Sequence, residues 1–348
     1  MRDVAARAGV SAKTVSRVMN RDRYVSDDVR RRVDQAVAEL QYVPNTLART
    51  FRQGRDAAIG VAVPDISDPF FAAVTHSVEE VARARGVAVF VTSLGMDGEN
   101  ERAAVEALLA RQLTGLISTP VAADQSFLRP WQASTAMVFI DRRPRRLTAD
   151  SVVQDDHGGG YAAAAHLLGH GHRRIAFLGD RLEIATVQRR LEGYRAALTD
   201  RGITHDPWLV RMTGAVEGRV AAEVHDLFDG PQAPTAIFCA DINSAAALIP
   251  VLQALDRPDV ALISFGDFPL AASLRPSLTV VDQDPAALGR FAASRVFDRH
   301  DRPGRQLRRS TVLPVKLVVR ESCAAGDSPH ARLPAAGGPG SGLRLAGA

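Results

Sequence analysis

Apolar and polar positions along the chain change texture near residue 57. Before it, the apolar residues fall at helical spacing: Val4, Ala5 and Ala8, then Val15 and Val18, then Val29, Val33, Val37 and Leu40 at i, i+4, i+8 and i+11. Ser26 stands where it would cap the third of these helices, with Asp27 and Asp28 in the first turn to complement its dipole. Between the first two, Ala8-Gly9-Val10-Ser11 breaks the pattern. Gly9 suits a tight turn, Ser11 suits the cap of the second helix, and small Ala5 and branched Val15 let the pair pack closely; this is the layout of a helix-turn-helix. The following NTLARTFRQGR, residues 45–55, is basic, weakly amphipathic and too short to hold a helix alone in water. It predicts a linker that becomes helical when given a surface.

From Ala57 onward, continuous apolar bursts alternate with helical stretches: AIGVAV, GVAVFV, TGLIS, AMVFI, RIAFLG, TAIFCA and VALIS. Strands buried on both faces read this way, so the pattern predicts an α/β fold of parallel sheets with helices on both faces. The units are too many for one sheet and predict two similar lobes, the second restarting near residue 156 in DDHGGGYAAAAHLL. Beyond Ser322 the chain is rich in Ala, Gly, Pro and Ser without helical periodicity, which predicts a disordered tail. The expected organisation is therefore a small all-α headpiece (1–44), a hinge (45–56), a two-lobed α/β domain (57–322) and a tail (323–348).

Composition narrows the chemistry. Two cysteines, Cys239 and Cys323, among 348 residues give no disulfide framework and fit a reducing cytoplasm. No apolar run approaches the roughly 20 residues of a membrane span, so neither a membrane partner nor a membrane location is expected. The net charge of +4 permits an anionic partner. His166, His170 and His172 stand close, but glycines mark a helix end there and no carboxylate or cysteine is near in sequence; no metal site is expected. HGGGY lacks the spacing of a phosphate cradle, and no Gly-x-Ser-x-Gly elbow occurs, so neither a cofactor nor an enzyme is predicted.

The second helix carries the candidate recognition chemistry. Ala12, Lys13, Ser16 and Arg17 fall on its outward face near the N-terminal end, the end that enters the major groove when such a motif docks. Arg or Lys there can read guanine O6 and N7. Taken by themselves these residues favour DNA binding, with two solvated surface helices as the alternative.

DVAARAGVSAKTVSRVMN, VSDDVRRRVDQAVAELQYVPN and LAR resemble the lactose-repressor (LacI-type) family of bacterial transcription regulators. The resemblance continues through IGVAVPDISDPFF, VFIDRRP, HLLGHGHRRIAFLGD, RRLEGYRAAL, FGDFPLA and LTVVDQDPAALG, and so covers nearly everything from Asp3 to Ser322. It implies that Ala12, Lys13 and Arg17 read bases, while Thr14, Ser16, Asn20, Tyr24, Ser26 and Tyr42 hold phosphates or orient the headpiece. It further implies that Asn45 to Phe51 form a hinge helix in the minor groove. There Ala48 lies against base edges, and Phe51 replaces the usual leucine as the wedge that opens a base step. One departure sits at the start: only Met1 and Arg2 precede Asp3, so either Asp3 caps the first helix or the true start lies upstream.

For the large domain the resemblance implies the periplasmic sugar-binding fold, with a ligand between the lobes. Ligands of parallel sheets bind beyond the carboxyl ends of the strands. The candidates there are Asp65, the pair Phe70 and Phe71, Asp141, Arg190 as a clamping fork, Asp241 and Asp267. Each aspartate can equally be a helix N-cap. The family commonly has two adjacent aspartates where this chain has Gly266 and Asp267. The resulting expectation is a sequence-specific repressor that binds a near-palindromic operator in double-stranded DNA as a homodimer. A small-molecule effector, a sugar first and a nucleobase second, switches it allosterically. The absence of heptads in the tail favours a dimer over a tail-assembled tetramer. The alternatives are a transport-type sugar-binding protein and an α/β enzyme acting on sugars or nucleotides.

Overall fold

The computed structural model describes residues 1–19, 22, 24–40, 58–214, 217–230 and 232–323. The chain divides into two compact units, Met1–Ala57 and Ala58–Ala348. Asn20, Tyr42, Asn45, Ala48 and Phe51, with the rest of the expected hinge and the tail from residue 324, lie outside the described residues.

In the N-terminal unit, α1 (Arg2–Ala8), α2 (Ala12–Met19) and α3 (Asp27–Glu39) enclose a core of Val4, Ala5, Ala8, Val15, Val18, Val33 and Ala36. Gly9 ends α1 at φ 64°, a left-handed conformation in which a Cβ is disfavoured. Ser11 Oγ accepts from Thr14 N at 3.1 Å and so starts α2. Asp3 lies in the first turn of α1, with Met1 at the N-cap and no side-chain cap bond. Arg7 pairs with Glu39 at 2.6 Å, tying α1 to the far end of α3. Leu40, expected on the apolar stripe of the third helix, is instead exposed just past the end of α3.

The second unit holds two six-stranded sheets. Its strands are β1 (Ala58–Val63), β2 (Ala88–Ser93), β3 (Gly115–Ser118), β4 (Ala136–Ile140), β5 (Asp150–Gln154), β6 (Ile175–Gly179), β7 (Val210–Met212), β8 (Ala236–Cys239), β9 (Ala261–Phe265), β10 (Thr279–Asp282), β11 (Ser310–Leu313) and β12 (Lys316–Val318). Its helices are α4 (Pro69–Ala84), α5 (Glu101–Leu109), α6 (Asp156–Gly169), α7 (Ala185–Asp200), α8 (Glu217–Asp229), α9 (Ile242–Ala254) and α10 (Pro285–Asp301). Lobe 1 carries the order β11-β5-β4-β3-β1-β2 and lobe 2 the order β12-β10-β9-β8-β6-β7. All neighbours are parallel except β10 and β12. Six of the apolar bursts became inner strands covered on both faces, and GVAVFV became the edge strand β2.

The chain passes between lobes at three short segments, Gln154–Asp156, Asp282–Pro285 and Leu313–Lys316. They are tied together: Gln154 Nε2 donates to Gln283 O at 3.1 Å and Asp155 N donates to Leu313 O at 3.0 Å. After leaving lobe 2, α10 packs on α4 of lobe 1, where a methyl at Gly289 would collide with Val74 O. In lobe 2, Phe177, Phe238 and Tyr194 form the centre of the core, with Phe177 and Phe238 edge-to-face at 5.4 Å. Burying each such ring contributes roughly 1.5–3 kcal/mol. The Tyr194 hydroxyl is not orphaned, because it donates to Ile175 O at 2.7 Å. Ordered chain reaches past the expected tail boundary, since Ser322 Oγ donates to Leu262 O at 2.6 Å and Cys323 is buried in the lobe 2 core.

Candidate functional site

Within the N-terminal unit, α2 presents Ala12, Lys13 and Arg17 to solvent, while Thr14 and Ser16 are half-buried. Lys13 and Arg17 stand four residues apart and share a face. Arg17 Nε donates to Asp22 Oδ2 at 2.9 Å, and Tyr24 N donates to the other carboxylate oxygen at 2.9 Å. Those bonds, Tyr24 N first and Arg17 second, hold the Asp22 carboxyl below its ordinary range. Asp22 was not singled out from the sequence; it steadies Arg17 from just beyond the end of α2. Tyr24 and Ser26 are exposed, and the Ser26 side chain makes no cap bond to α3.

Between the lobes, at the carboxyl ends of the strands, lies a cleft of about 820 Å³. Asp65, Phe70, Phe71, Asp141, Arg190 and Asp241 all line it. Asp65 follows β1 and accepts from Ser67 N and Ser67 Oγ, both at 2.8 Å. Phe70 and Phe71 open α4, edge-to-face at 5.0 Å. Asp241 caps α9, accepting from Ser244 N at 2.7 Å and Ser244 Oγ at 2.8 Å. Its cap role and its place in the cleft coexist. Burial pushes the Asp241 carboxyl above its ordinary range.

Asp141 is held in an unusual way. Its φ is 64°, and Arg142 N donates back to Ile140 O at 2.6 Å, which makes a γ-turn centred on Asp141. A non-glycine residue in this conformation is strained, and such strain concentrates where a side chain must be aimed. The carboxylate sits 3.1 Å from Arg142 Nε at the cleft wall.

Arg190, on α7, is nearly buried, and its guanidinium lies 3.8 Å from the Phe265 ring centroid. Nε donates to Asp156 Oδ1 at 2.8 Å, Nη2 reaches the same oxygen at 2.7 Å, and Nη1 donates to Ala240 O at 2.7 Å. Three of the five donor hydrogens of an arginine are thereby engaged, leaving one on each terminal nitrogen for a ligand. Burial pushes the Asp156 carboxyl up to about 6 despite the opposing pull of Arg190, with Asp141 adding to the rise. The approach is possible because α6 and α7 touch backbone to backbone: a methyl at Gly160 would collide with Arg190 O, and one at Gly193 with His157 O.

Asp267 departs from the expected set. Its carboxylate turns to Arg320, with Nη1 at 3.1 Å and Nη2 at 2.5 Å, and it does not line the cleft. Gly266 turns the chain at φ 101°, with Ile242 and Gln283 in the space where a side chain would project. Sequence reading also passed over Asp156 and Phe265, which fix Arg190, and Asp68, which caps α4. Asp68 Oδ2 accepts from Asn243 Nδ2 of lobe 2 at 2.9 Å, and Arg181 Nη2 of lobe 2 donates to Met96 O of lobe 1 at 2.5 Å. The two lobes are thus bonded across the cleft. Burial raises the Asp68 carboxyl as well.

Residues 1–45 match the family described as bacterial regulatory proteins, lacI family, and residues 164–323 match a periplasmic binding protein-like domain. The ribose operon repressor of Haemophilus influenzae is 32% identical over 328 residues, covering 92% of this chain and 98% of that protein. The chain belongs to the LacI family. The transcriptional repressor PurR of Haemophilus influenzae is 31% identical over 334 residues, covering 92% of this chain and 98% of that one. A crystal structure of the lac repressor dimer bound to operator and the anti-inducer ONPF superposes with a TM-score of 0.80 at 26% identity, covering 93% of this chain and 98% of the other. This LacI-family protein is a DNA-binding transcriptional regulator and not an enzyme. No described helix is long and apolar enough to cross a membrane.

Proposed function

We propose that this protein is a cytoplasmic repressor that binds a near-palindromic operator as a homodimer and releases or grips it according to a small sugar held between its lobes. The observation that carries the effector reading is the Arg190 fork, seated 3.8 Å over the Phe265 ring with two hydrogens to spare. Around it stand carboxylate acceptors at Asp65, Asp141 and Asp241. Vicinal hydroxyls both donate and accept, so they satisfy a fork and carboxylates together, and the Phe71 ring offers a face for the carbon skeleton. The ribose operon repressor, among its relatives, bears a sugar in its name. One headpiece reads only a short half-site, so specificity requires a pair of them on a symmetric sequence.

The switch follows from the connections. Three short crossings let the lobes turn as rigid bodies, and bonds such as Asn243 to Asp68 exist only when the lobes are close. A ligand that prefers one lobe arrangement shifts its population, and the chain that enters lobe 1 at Ala58 passes this to the N-terminal unit. A thermal-shift screen with ribose, other pentoses, hexoses and purine bases tests the effector class, because a ligand bound only by the folded state raises its melting point. Stabilisation by sugars alone is the expected result. Stabilisation by purines alone would replace the sugar with a nucleobase.

A further inference from the structure

We infer that the strand-start end of lobe 1 is a second surface for the phosphate backbone of DNA, separate from the base-reading helix α2. Sheet 1 is parallel throughout, so all six strands start at one end. The chain arrives at that end from the N-terminal unit, at Ala58, and the loop of residues 302–309 between α10 and β11 lies at the same end. The effector cleft opens at the opposite end of the strands.

Around this loop, arginines outnumber acids among the described residues. Asp150, Asp298 and Asp301 lie beside this loop, and each already has an arginine partner. Asp150 is held by Arg299 at 2.7 Å and Arg295 at 3.5 Å, Asp298 by Arg305 at 3.1 Å, and Asp301 by Arg85 at 2.8 Å. Arg308 and Arg309 remain, exposed and in no ion pair among the described residues, and exposed Arg302 adds only a longer-range attraction to Asp301, which Arg85 already holds. Arg143 joins them, its guanidinium 3.2 Å from Ser310 Oγ at the start of β11. Next to this loop is a polar recess of about 350 Å³, lined in part by Thr135, Thr148, His300 and Arg309.

Guanidinium groups spread along a loop, with hydroxyls in a recess beside them, suit a chain of phosphates more than one small anion. Arginine forks bind phosphate oxygens in pairs, and each phosphate neutralised releases counterions. The surface rests on the DNA-binding reading but not on the effector, and it carries no base specificity. It adds to affinity for duplex of any sequence.

The test is the salt dependence of binding to a nonspecific duplex by the full chain, for the wild type and for the triple variant Arg302→Ala/Arg308→Ala/Arg309→Ala. Arg189→Ala/Arg201→Ala on lobe 2 serves as the control, and melting curves check that each variant folds. The triple variant is expected to lower the slope of log affinity against log salt by about 0.9 for each phosphate it no longer neutralises, with the control unchanged. Equal slopes for wild type and triple variant overturn the inference and leave the DNA-binding reading standing. A wild type that binds no duplex overturns both. Equal slopes together with stabilisation of the wild type alone by inorganic phosphate would make this a small-anion site and overturn the DNA surface.

Discussion

The carboxylate of Asp156 lies 2.8 Å from Arg190 Nε and 2.7 Å from Arg190 Nη2, through a single oxygen, with both side chains nearly buried. A buried arginine is tolerable only with such a partner, and this partner also sets the plane in which the fork faces the cleft. On the proposed reading, Asp156 therefore positions Arg190 for the effector. Replacing it with Ala should lower stability by about 3–5 kcal/mol, the range for stranding one member of a buried pair. Asp156→Asn keeps the shape and an acceptor oxygen and should retain more effector affinity than Asp156→Ala. Chemical unfolding and effector titration measure the two effects, and equal losses in both variants would contradict the positioning role.

The same pair predicts a pH dependence. The folded protein holds a proton on Asp156 up to about 6, above the ordinary carboxylate value. With the folded value raised, this group's contribution to stability is full below the ordinary value of 3.8 and is lost as pH rises through about 6. Effector binding should run the other way, weakening as pH falls through about 6 and the charge that holds Arg190 is neutralised. Asp68 and Asp241 are also raised by burial and add to the change at the acid end. Titrations on either side of that value check this, and a flat affinity across it would count against Asp156 as the group responsible.

The close passage of α6 and α7 carries its own prediction. Gly193→Ala puts a methyl against His157 O, so one helix must move. Overpacking of this kind typically destabilises by about 1–3 kcal/mol. Because Arg190 is one turn from Gly193 on the same helix, effector affinity should fall along with the melting point. A loss of stability with unchanged affinity would show that the helix approach does not set the fork.

Across the cleft, Asn243→Ala removes the bond to Asp68. A hydrogen bond of this sort contributes about 1 kcal/mol, so the balance between open and closed lobes should move roughly fivefold toward open. Effector affinity reads this directly, and a change of less than about twofold would mean the bond does not bias closure.

In the headpiece, Arg17→Ala should relax base preference at one operator position at about 1–3 kcal/mol. Asp22→Ala keeps that guanidinium but frees it from its support at 2.9 Å, and should blur the same position less. Affinity measured over a set of single-base operator variants distinguishes the two. A uniform loss over all sequences would make Arg17 a phosphate ligand.

The fold was legible where burial is two-sided. Six apolar bursts became β1, β3, β4, β6, β8 and β9, inner strands covered on both faces. The seventh, GVAVFV, became β2, an edge strand whose residues are half-buried or exposed. The strands not read from the sequence are the short or crossing ones. DSVVQ of β5 begins and ends with polar groups that pair with Arg299 and Gln283, while β7, β11 and β12 lie at sheet edges and need no apolar run. The cleft residues found from sequence stand just after strands or on the helices that follow, where local order places them. Asp156 and Asp267 could not be sorted this way. Each is decided by an arginine distant in sequence, Arg190 for one and Arg320 for the other, and the first enters the site while the second is turned aside.

The measurement that bears most directly on the whole account begins with an operator enriched from random duplexes by the purified protein. Its affinity is then determined with and without the ligand found by thermal shift. The account predicts enrichment of symmetric sequences and a change in operator affinity of about 5–150-fold on adding ligand, lost in Arg190→Ala. Enrichment without symmetry, or an operator affinity that saturating ligand leaves unchanged, would contradict it.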